Sequence, residues 1–260
     1  MTPLRILVKI GGSTLGDADT TTPDLVWLQA QGHQVVVVHG GGKHITQWLD
    51  RLHLPSTFVD GLRVTGPDAI DAVVGVLAGV VNKRIVAAIN AAGGRALGFS
   101  GADGGMLRAR IKNPALGLVG EIVRVDPAPV HAALAHGYIP VIAPIGVLDV
   151  PGPEGATLLN INADTAAAAI GAALKADRFV FLTDVSGVKG ADGSIMPHLT
   201  PARAHELINS GIIAGGMIPK VEAALHALHG VSTSLIVDGR RAHALRDSIV
   251  GEVAGTRFEE

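Results

Sequence analysis

Three cationic side chains stand beside glycine turns in this chain. Lys9 lies near the end of the apolar run 4–10, and Gly11, Gly12 and Ser13 follow it. A lysine among Leu7, Val8 and Ile10 is costly to bury without a partner. An anionic ligand would offset that cost, and an edge position that lets the ammonium reach water would avoid it. Arg63 stands in Gly61-Leu62-Arg63-Val64-Thr65. Its guanidinium can bind a carboxylate through two parallel hydrogen bonds, although an ordinary surface arginine has the same sequence signature. Lys220 closes Gly215-Gly216-Met217-Ile218-Pro219-Lys220, a glycine turn that opens a helix. The first turn of a helix favours acids, so a lysine there hints at a ligand that brings negative charge.

Two further clusters add to these. Gly40-Gly41-Gly42 follows the strand-like run 35–38. Glycines let successive backbone N–H groups turn toward one point, and a following helix adds its positive end, so an anion or polar substrate fits there. An ordinary strand-to-helix turn needs fewer glycines. Asn160-Ile161-Asn162-Ala163-Asp164 puts three polar side chains at a helix start. Asn162 or Asp164 can cap the helix, which leaves the others to be explained. His39, Trp48 and Met217 are read as packing residues.

The common phosphate motifs do not fit. A dinucleotide fingerprint needs a third glycine where Ile45 stands, although Asp60 is at a tolerable distance for a ribose contact. A Walker A loop ending at Gly42-Lys43 needs glycine where Val37 stands and Ser or Thr where His44 stands.

The elements that must position these residues alternate along the chain. Strands are expected at 4–10, 35–38, 96–99, 138–143, 178–182 and 232–237, with hairpin strands inside 106–124. A helix capped by Thr22 starts at Pro23 and stops at Gly32. Others are expected after Gly42, at 67–92, 129–136, 162–176, 201–210 and 219–228, and near 242–249. Gly75 and Gly79, four apart, suit a close helix neighbour. Residues 151–155 form a Pro/Gly-rich loop. The alternation implies an α/β fold with a mainly parallel sheet covered on both faces, and ligands bind beyond the carboxyl ends of such strands. No composition shift marks a linker.

The chain has 260 residues, 48% of them hydrophobic and 17% charged, enough for a sizeable core. A formal charge of −2 argues against a broad nucleic-acid surface. With no cysteine, disulfides, thiolate metal sites and thiol nucleophiles are excluded. No His-Glu-x-x-His helix is present. Apolar runs such as 166–174 fall short of the roughly 20 residues that cross a bilayer, and residues 1–9 are too short for a cleavable signal. A cytoplasmic protein with no membrane or nucleic-acid partner is expected.

Taken together, Lys9-Ile10-Gly11-Gly12-Ser13, His39-Gly40-Gly41-Gly42, Gly61-Leu62-Arg63-Val64-Thr65, Asn82-Lys83, Asn160 to Asp164, Leu182 to Gly187 and Gly216 to Lys220 resemble the amino acid kinase family in order and spacing. The Gly-x-Arg-x-Thr piece is similar to the branch that acts on N-acetyl-L-glutamate. The resemblance implies a three-layer αβα sandwich around an open, mainly parallel sheet. Residues 1–177 would bind the acyl amino acid and 178–260 would bind ATP, within one continuous domain. It implies phosphoryl transfer from ATP, with Mg2+ carried by the nucleotide, to the side-chain carboxylate of N-acetyl-L-glutamate. Lys9 and Lys220 would flank the moving phosphoryl group, with Asp164 holding both lysines. Gly41, Gly42, Arg63 and Asn160 would hold the acyl amino acid. Gly11, Gly12, Thr183, Asp184, Val185, Ser186, Gly187, Val188, Lys189, Ile212, Ile213 and Ala214 would line the nucleotide. No dedicated metal ligands are implied.

Lys43-His44 departs from the family, which often has Pro and an acidic or amide residue there, and the first helix is shorter than usual. The lack of an extra helix before Leu4 implies a homodimer without arginine control. Three other readings are a kinase for an amino acid borne by a carrier protein, a non-catalytic sensor of nucleotide or amino acid, and an NAD-binding module. Arg63-Val64-Thr65 disfavours the first, the joint presence of Lys9, Asp164 and Lys220 the second, and Ile45 the third.

Overall fold

The computed structural model describes residues 2–11, 20–150, 157–251 and 255–260. Gly12, Ser13 and the expected loop at 151–155 lie outside the described residues. The strands are β1 (Arg5–Ile10), β2 (Gln34–His39), β3 (Phe58–Val59), β4 (Leu62–Arg63), β5 (Ala96–Ser100), β6 (Leu107–Ile111), β7 (Val119–Val125), β8 (Ile139–Ala143), β9 (Ile145–Leu148), β10 (Leu158–Ile161), β11 (Arg178–Thr183), β12 (His198–Leu199), β13 (Ser234–Asp238) and β14 (Gly255–Phe258). The α-helices are α1 (Thr21–Ala30), α2 (Gly42–Arg51), α3 (Pro67–Val74), α4 (Asn82–Ala91), α5 (Ala128–Ala135), α6 (Ala163–Ala173), α7 (Pro201–Asn209), α8 (Met217–Ala227) and α9 (Ala244–Val250).

Eight strands form one sheet in the order β12-β14-β13-β11-β1-β2-β8-β5. Every pairing in it is parallel except β13 with β14. Because β11 pairs directly with β1, the sheet runs without a break from the first half of the chain into the second. β1 is interior, with β2 on one side and β11 on the other. This removes the edge-lysine reading of Lys9.

Side chains alternate across the sheet, and both faces are buried, as in covered parallel sheets. Ile6, Val8, Ile10, Val35 and Val37 join one core with α1, α2, α3, α4 and α9. Leu7, Val36, Val38, Phe179 and Phe181 join the other with α5, α6, α7 and α8. Alternation therefore puts Lys9 on the α6 face, with Leu7. It puts His39 on the opposite face, toward the start of α4.

A second unit was not foreseen. β10, β7, β6 and β9 close into a small barrel, and β3 pairs with β4 as a separate hairpin. The hairpin expected inside 106–124 is the antiparallel pair β6–β7. The short β9 and β10 gave no alternation long enough to read.

α3 and α4 are joined by a π-helical stretch, Gly75–Val81, into a 25-residue rod, Pro67–Ala91. Its length and mean hydropathy of 1.8 would suffice to cross a bilayer, contrary to the expectation that no segment could. It is a core helix here: Val73, Val76, Leu77, Val81, Ile85 and Ile89 are buried in the protein. Among the described residues Gly75 and Gly79 meet no neighbouring helix, since nothing lies within 4 Å of a Cβ built on either. α1 begins at Thr21, with Thr20 rather than Thr22 as its cap residue. The Thr20 hydroxyl accepts from the His243 backbone N–H at 2.6 Å, so it ties α1 to the start of α9.

Candidate active site

Lys9 and Asp164 meet at the carboxyl end of the sheet. β1 carries Lys9 toward the start of α6, where Asp164 lies in the first turn, and the two charges are 2.8 Å apart. Asn162 is the cap of α6, its side chain accepting from the Asp164 and Thr165 N–H groups at 3.0 Å each. A cap of this kind is worth about 1 kcal/mol. Asn160, at the end of β10, donates from Nδ2 to Thr65 Oγ1 at 3.0 Å. The three polar residues of this segment thus do three different jobs.

Arg63 is almost fully buried. Its guanidinium donates to the Gly42 carbonyl at 2.9 Å, to Thr46 Oγ1 at 2.8 Å and to Ser56 Oγ, and it lies 4.5 Å from the Phe58 ring centroid. All of these partners are neutral. Among the described residues no carboxylate forms an ion pair with it. Burial lowers its pKa from the ordinary value, and Asp50, acting from a distance, pulls it partly back up. A buried cation held only by neutral acceptors favours an anion in the adjoining space.

That space is a cavity of about 250 Å³ walled by Lys9, Gly40 to Gly42, Phe58, Arg63, Asn160 and Asp164 among others. Among the described residues, the backbone N–H groups of Gly41 and Gly42 have no protein acceptor. Glycine at 41 lets the turn pack closely here, because a Cβ would fall 2.7 Å from Leu77 Cδ2 and force that side chain to move. The turn therefore offers two donors beside two cations.

A second cavity of about 430 Å³ is walled by Asp184 to Lys189, Ile212 to Ala214, Met217 and Arg240. The expected nucleotide-lining segments converge here, apart from two described residues. Thr183 is buried and bonds Asp184 with its hydroxyl, and Gly11 donates to the Leu182 carbonyl; neither lines this cavity. Met217, read as packing, lines it. Arg240 was not foreseen. It forks onto Asp238 with two 2.8 Å bonds, and those bonds lower the Asp238 pKa.

Lys220 lies in the first turn of α8 and is partly buried. Its neighbours Pro219 and Glu222 wall a groove of about 680 Å³ together with Asp164. Lys220 itself is not in that wall. Among the described residues Asp164 pairs with Lys9 and with no second lysine. The expected grip of Asp164 on both lysines is thus present for Lys9 only.

Trp48, read as packing, is exposed on α2, where Ile45 and Leu49 are the buried residues. Ile45 is a core residue at the position where a dinucleotide loop needs glycine, and Asp60 is exposed in the β3–β4 turn. Thr65, Phe58, Thr46 and Ser56 were missed as site residues. They are ordinary residues whose partners lie elsewhere in the sequence, and only Thr65 was flagged at all, as part of the arginine motif.

One cavity thus has the Asp164-paired Lys9 and the buried Arg63 in its wall, and a second is walled by the loop from Asp184 to Lys189 with Arg240. The chain belongs to the amino acid kinase family, whose model matches residues 4–238. It is 48% identical over 243 residues to an acetylglutamate kinase of Dinoroseobacter shibae, covering 92% of this chain and 83% of that one. It is also 48% identical over 245 residues to an acetylglutamate kinase of Campylobacter curvus, covering 92% and 85%. Among solved structures, a Streptococcus mutans protein superposes with a TM-score of 0.81 at 29% identity, over 98% of both chains. The fold is also that of a carbamate kinase from Giardia lamblia bound to AMP-PNP, with a TM-score of 0.70 at 15% identity over 100% of this chain and 99% of that one.

Proposed function

We propose that this chain is an acetylglutamate kinase. It transfers the γ-phosphoryl group of ATP to the side-chain carboxylate of N-acetyl-L-glutamate, giving N-acetyl-L-glutamyl 5-phosphate and ADP, a step of arginine biosynthesis. The observation that carries this reading is Arg63, a buried guanidinium with no paired carboxylate among the described residues, in the same cavity as Lys9. The relatives at 48% identity support it.

In this reading the α-carboxylate of the acyl amino acid binds Arg63, and Asn160 holds its amide. The side-chain carboxylate then faces the glycine turn. A carboxylate is already an adequate nucleophile, so no general base is needed. The barrier is the approach of two anions, and catalysis comes from positioning and from cationic and N–H stabilisation. An oxygen of the carboxylate bonds to the γ-phosphorus as the bond to the bridging oxygen breaks, and ADP leaves with that electron pair. Lys9, fixed by Asp164, stands on one side of the moving group. Lys220 is assigned to the other side, which it would reach by a shift of α8 when both substrates are bound. The N–H groups of Gly41 and Gly42 cradle oxygens between them.

The nucleotide is assigned to the second cavity, where Lys189 can face its phosphates and Arg240 is held in place by Asp238. Among the described residues no group of three His, Asp or Glu side chains converges to hold a metal. Mg2+ fits as the nucleotide's own companion, supplying charge neutralisation on its phosphate oxygens. A homodimer in the cytoplasm belongs to the same proposal. The sheet-edge strand β5, with Leu97 exposed, and the uncovered Gly75–Gly79 face are surfaces that suit a second copy. The test is ATP consumption with hydroxylamine trapping of the acyl phosphate. Hydroxamate should form only when both ATP and N-acetyl-L-glutamate are present; ATP turnover indifferent to that acid would reject the assignment.

A further inference from the structure

Below the glycine turn, on the sheet face opposite Lys9, lies a polar pair that the catalytic scheme does not use. His39 ends β2 and is buried, and its Nδ1 is 2.9 Å from the Gly40 carbonyl oxygen. Its Nε2 is 3.2 Å from Nδ2 of Asn82, which is fully buried. Asn82 sits where the π-helical stretch gives way to α4, and such stretches recur at functional sites.

The proton positions follow from the partners. Asn82 Nδ2 also faces the Val141 carbonyl at 2.8 Å and the Phe99 carbonyl at 3.2 Å. Carbonyl oxygens only accept, so the NH2 group is on that side. Its oxygen, on the other side, accepts from Lys83 Nζ at 3.0 Å. Nε2 of His39 faces that NH2 group, whose two hydrogens are shared among it and the two carbonyls, so Nε2 bears no hydrogen. Nδ1 faces a carbonyl that can only accept, so it carries the ring's hydrogen and donates it to the Gly40 carbonyl.

That last bond bears on the reaction. The Gly40 carbonyl and the Gly41 N–H belong to one trans peptide and point in opposite directions. Holding the carbonyl toward His39 therefore aims the Gly41 N–H away from it, toward the cavity that Gly40, Gly41 and Gly42 line. We infer that His39 and Asn82 are positioning residues that fix the Gly41 N–H as a donor to the transferring phosphoryl group. This inference rests on the function proposed above.

The tests use the whole enzyme. His39→Phe keeps a ring and removes both bonds. In folded His39→Phe, kcat should fall about tenfold to a hundredfold, since a misaimed donor loses most of its effect in the transition state. The KM for ATP, whose cavity is elsewhere, should stay within about twofold. An unchanged kcat, or a KM for ATP that moves as much as kcat, overturns the inference. A second measurement needs no variant. Nitrogen spectra of the 15N-histidine-labelled wild type should show His39 as the Nδ1–H tautomer, untitrated from pH 8 down to about pH 5.5, with Lys83 the charged neighbour and Asn82 blocking a proton on Nε2. An Nε2–H tautomer, or titration in that interval, overturns it. If the wild type ignores N-acetyl-L-glutamate, the functional reading fails, and the histidine spectrum still decides this arrangement.

Discussion

Lys9 Nζ lies 2.8 Å from Asp164 Oδ1, an ion pair that joins the interior strand β1 to the first turn of α6. It is the only charged link between the sheet and the α6 N-terminus among the described residues. It fixes one ammonium group at the floor of the cavity before any substrate arrives. Catalysis by positioning needs this kind of preset charge.

Lys220→Ala should fold as the wild type does, because Lys220 has no ion pair among the described residues, and should lose about a hundredfold or more in kcat. Thermal melting and steady-state kinetics on the same preparation check both halves. An unchanged kcat rejects its role.

Arg63→Lys keeps the charge but loses the fork that reaches Thr46, Ser56 and the Gly42 carbonyl. The KM for N-acetyl-L-glutamate should rise by about tenfold or more, while the KM for ATP stays near the wild-type value. Equal rises in both would place Arg63 outside the acyl amino acid site.

Gly98 touches the inferred positioning pair through the backbone of β5. A Cβ there would fall 2.1 Å from Asn82 Oδ1 and 2.6 Å from Lys83 Nζ. Gly98→Ala should cost about 1–3 kcal/mol of stability through overpacking. Urea unfolding measures this; a loss near zero would mean that α4 can withdraw from the sheet freely.

Burial lowers His39 to about 4, while its bond to Gly40 raises it and Lys83 lowers it further. The unfolded histidine takes a proton near pH 6.5 and the folded one does not until near pH 4. The unfolded state thus binds more protons throughout that window. The stabilisation is complete above about pH 6.5 and is lost as pH falls toward 4, by up to about 3 kcal/mol for this one proton. His39→Phe should show a shallower fall than the wild type over the same window. Parallel curves in urea unfolding from pH 7 to pH 4.5 would contradict it.

Much of this architecture was legible in the sequence. The run 35–38 was read as a strand and is one, buried on both faces, and the helix expected at 67–92 is the long rod. What stayed hidden depends on partners distant in sequence. The barrel strands β9 and β10 have four residues each and exist because β6 and β7 pair with them. Asn160 reaches Thr65 across 95 positions, and His39 reaches Asn82 across 43, so neither contact leaves a local pattern. The π-helical stretch before Asn82 was equally silent, since apolar spacing alone does not separate it from an α-helix. The pairing of Asp164 with Lys9 came from family resemblance, and strand alternation accounts for it afterwards.

The two-lysine account is tested most directly by a crystal structure of the enzyme with N-acetyl-L-glutamate, magnesium and a non-hydrolysable ATP analogue. Both Lys9 Nζ and Lys220 Nζ should lie within about 3 Å of oxygens on the terminal phosphate, on opposite sides of it. A complex with both ligands in place and Lys220 still turned away from the phosphate would contradict it.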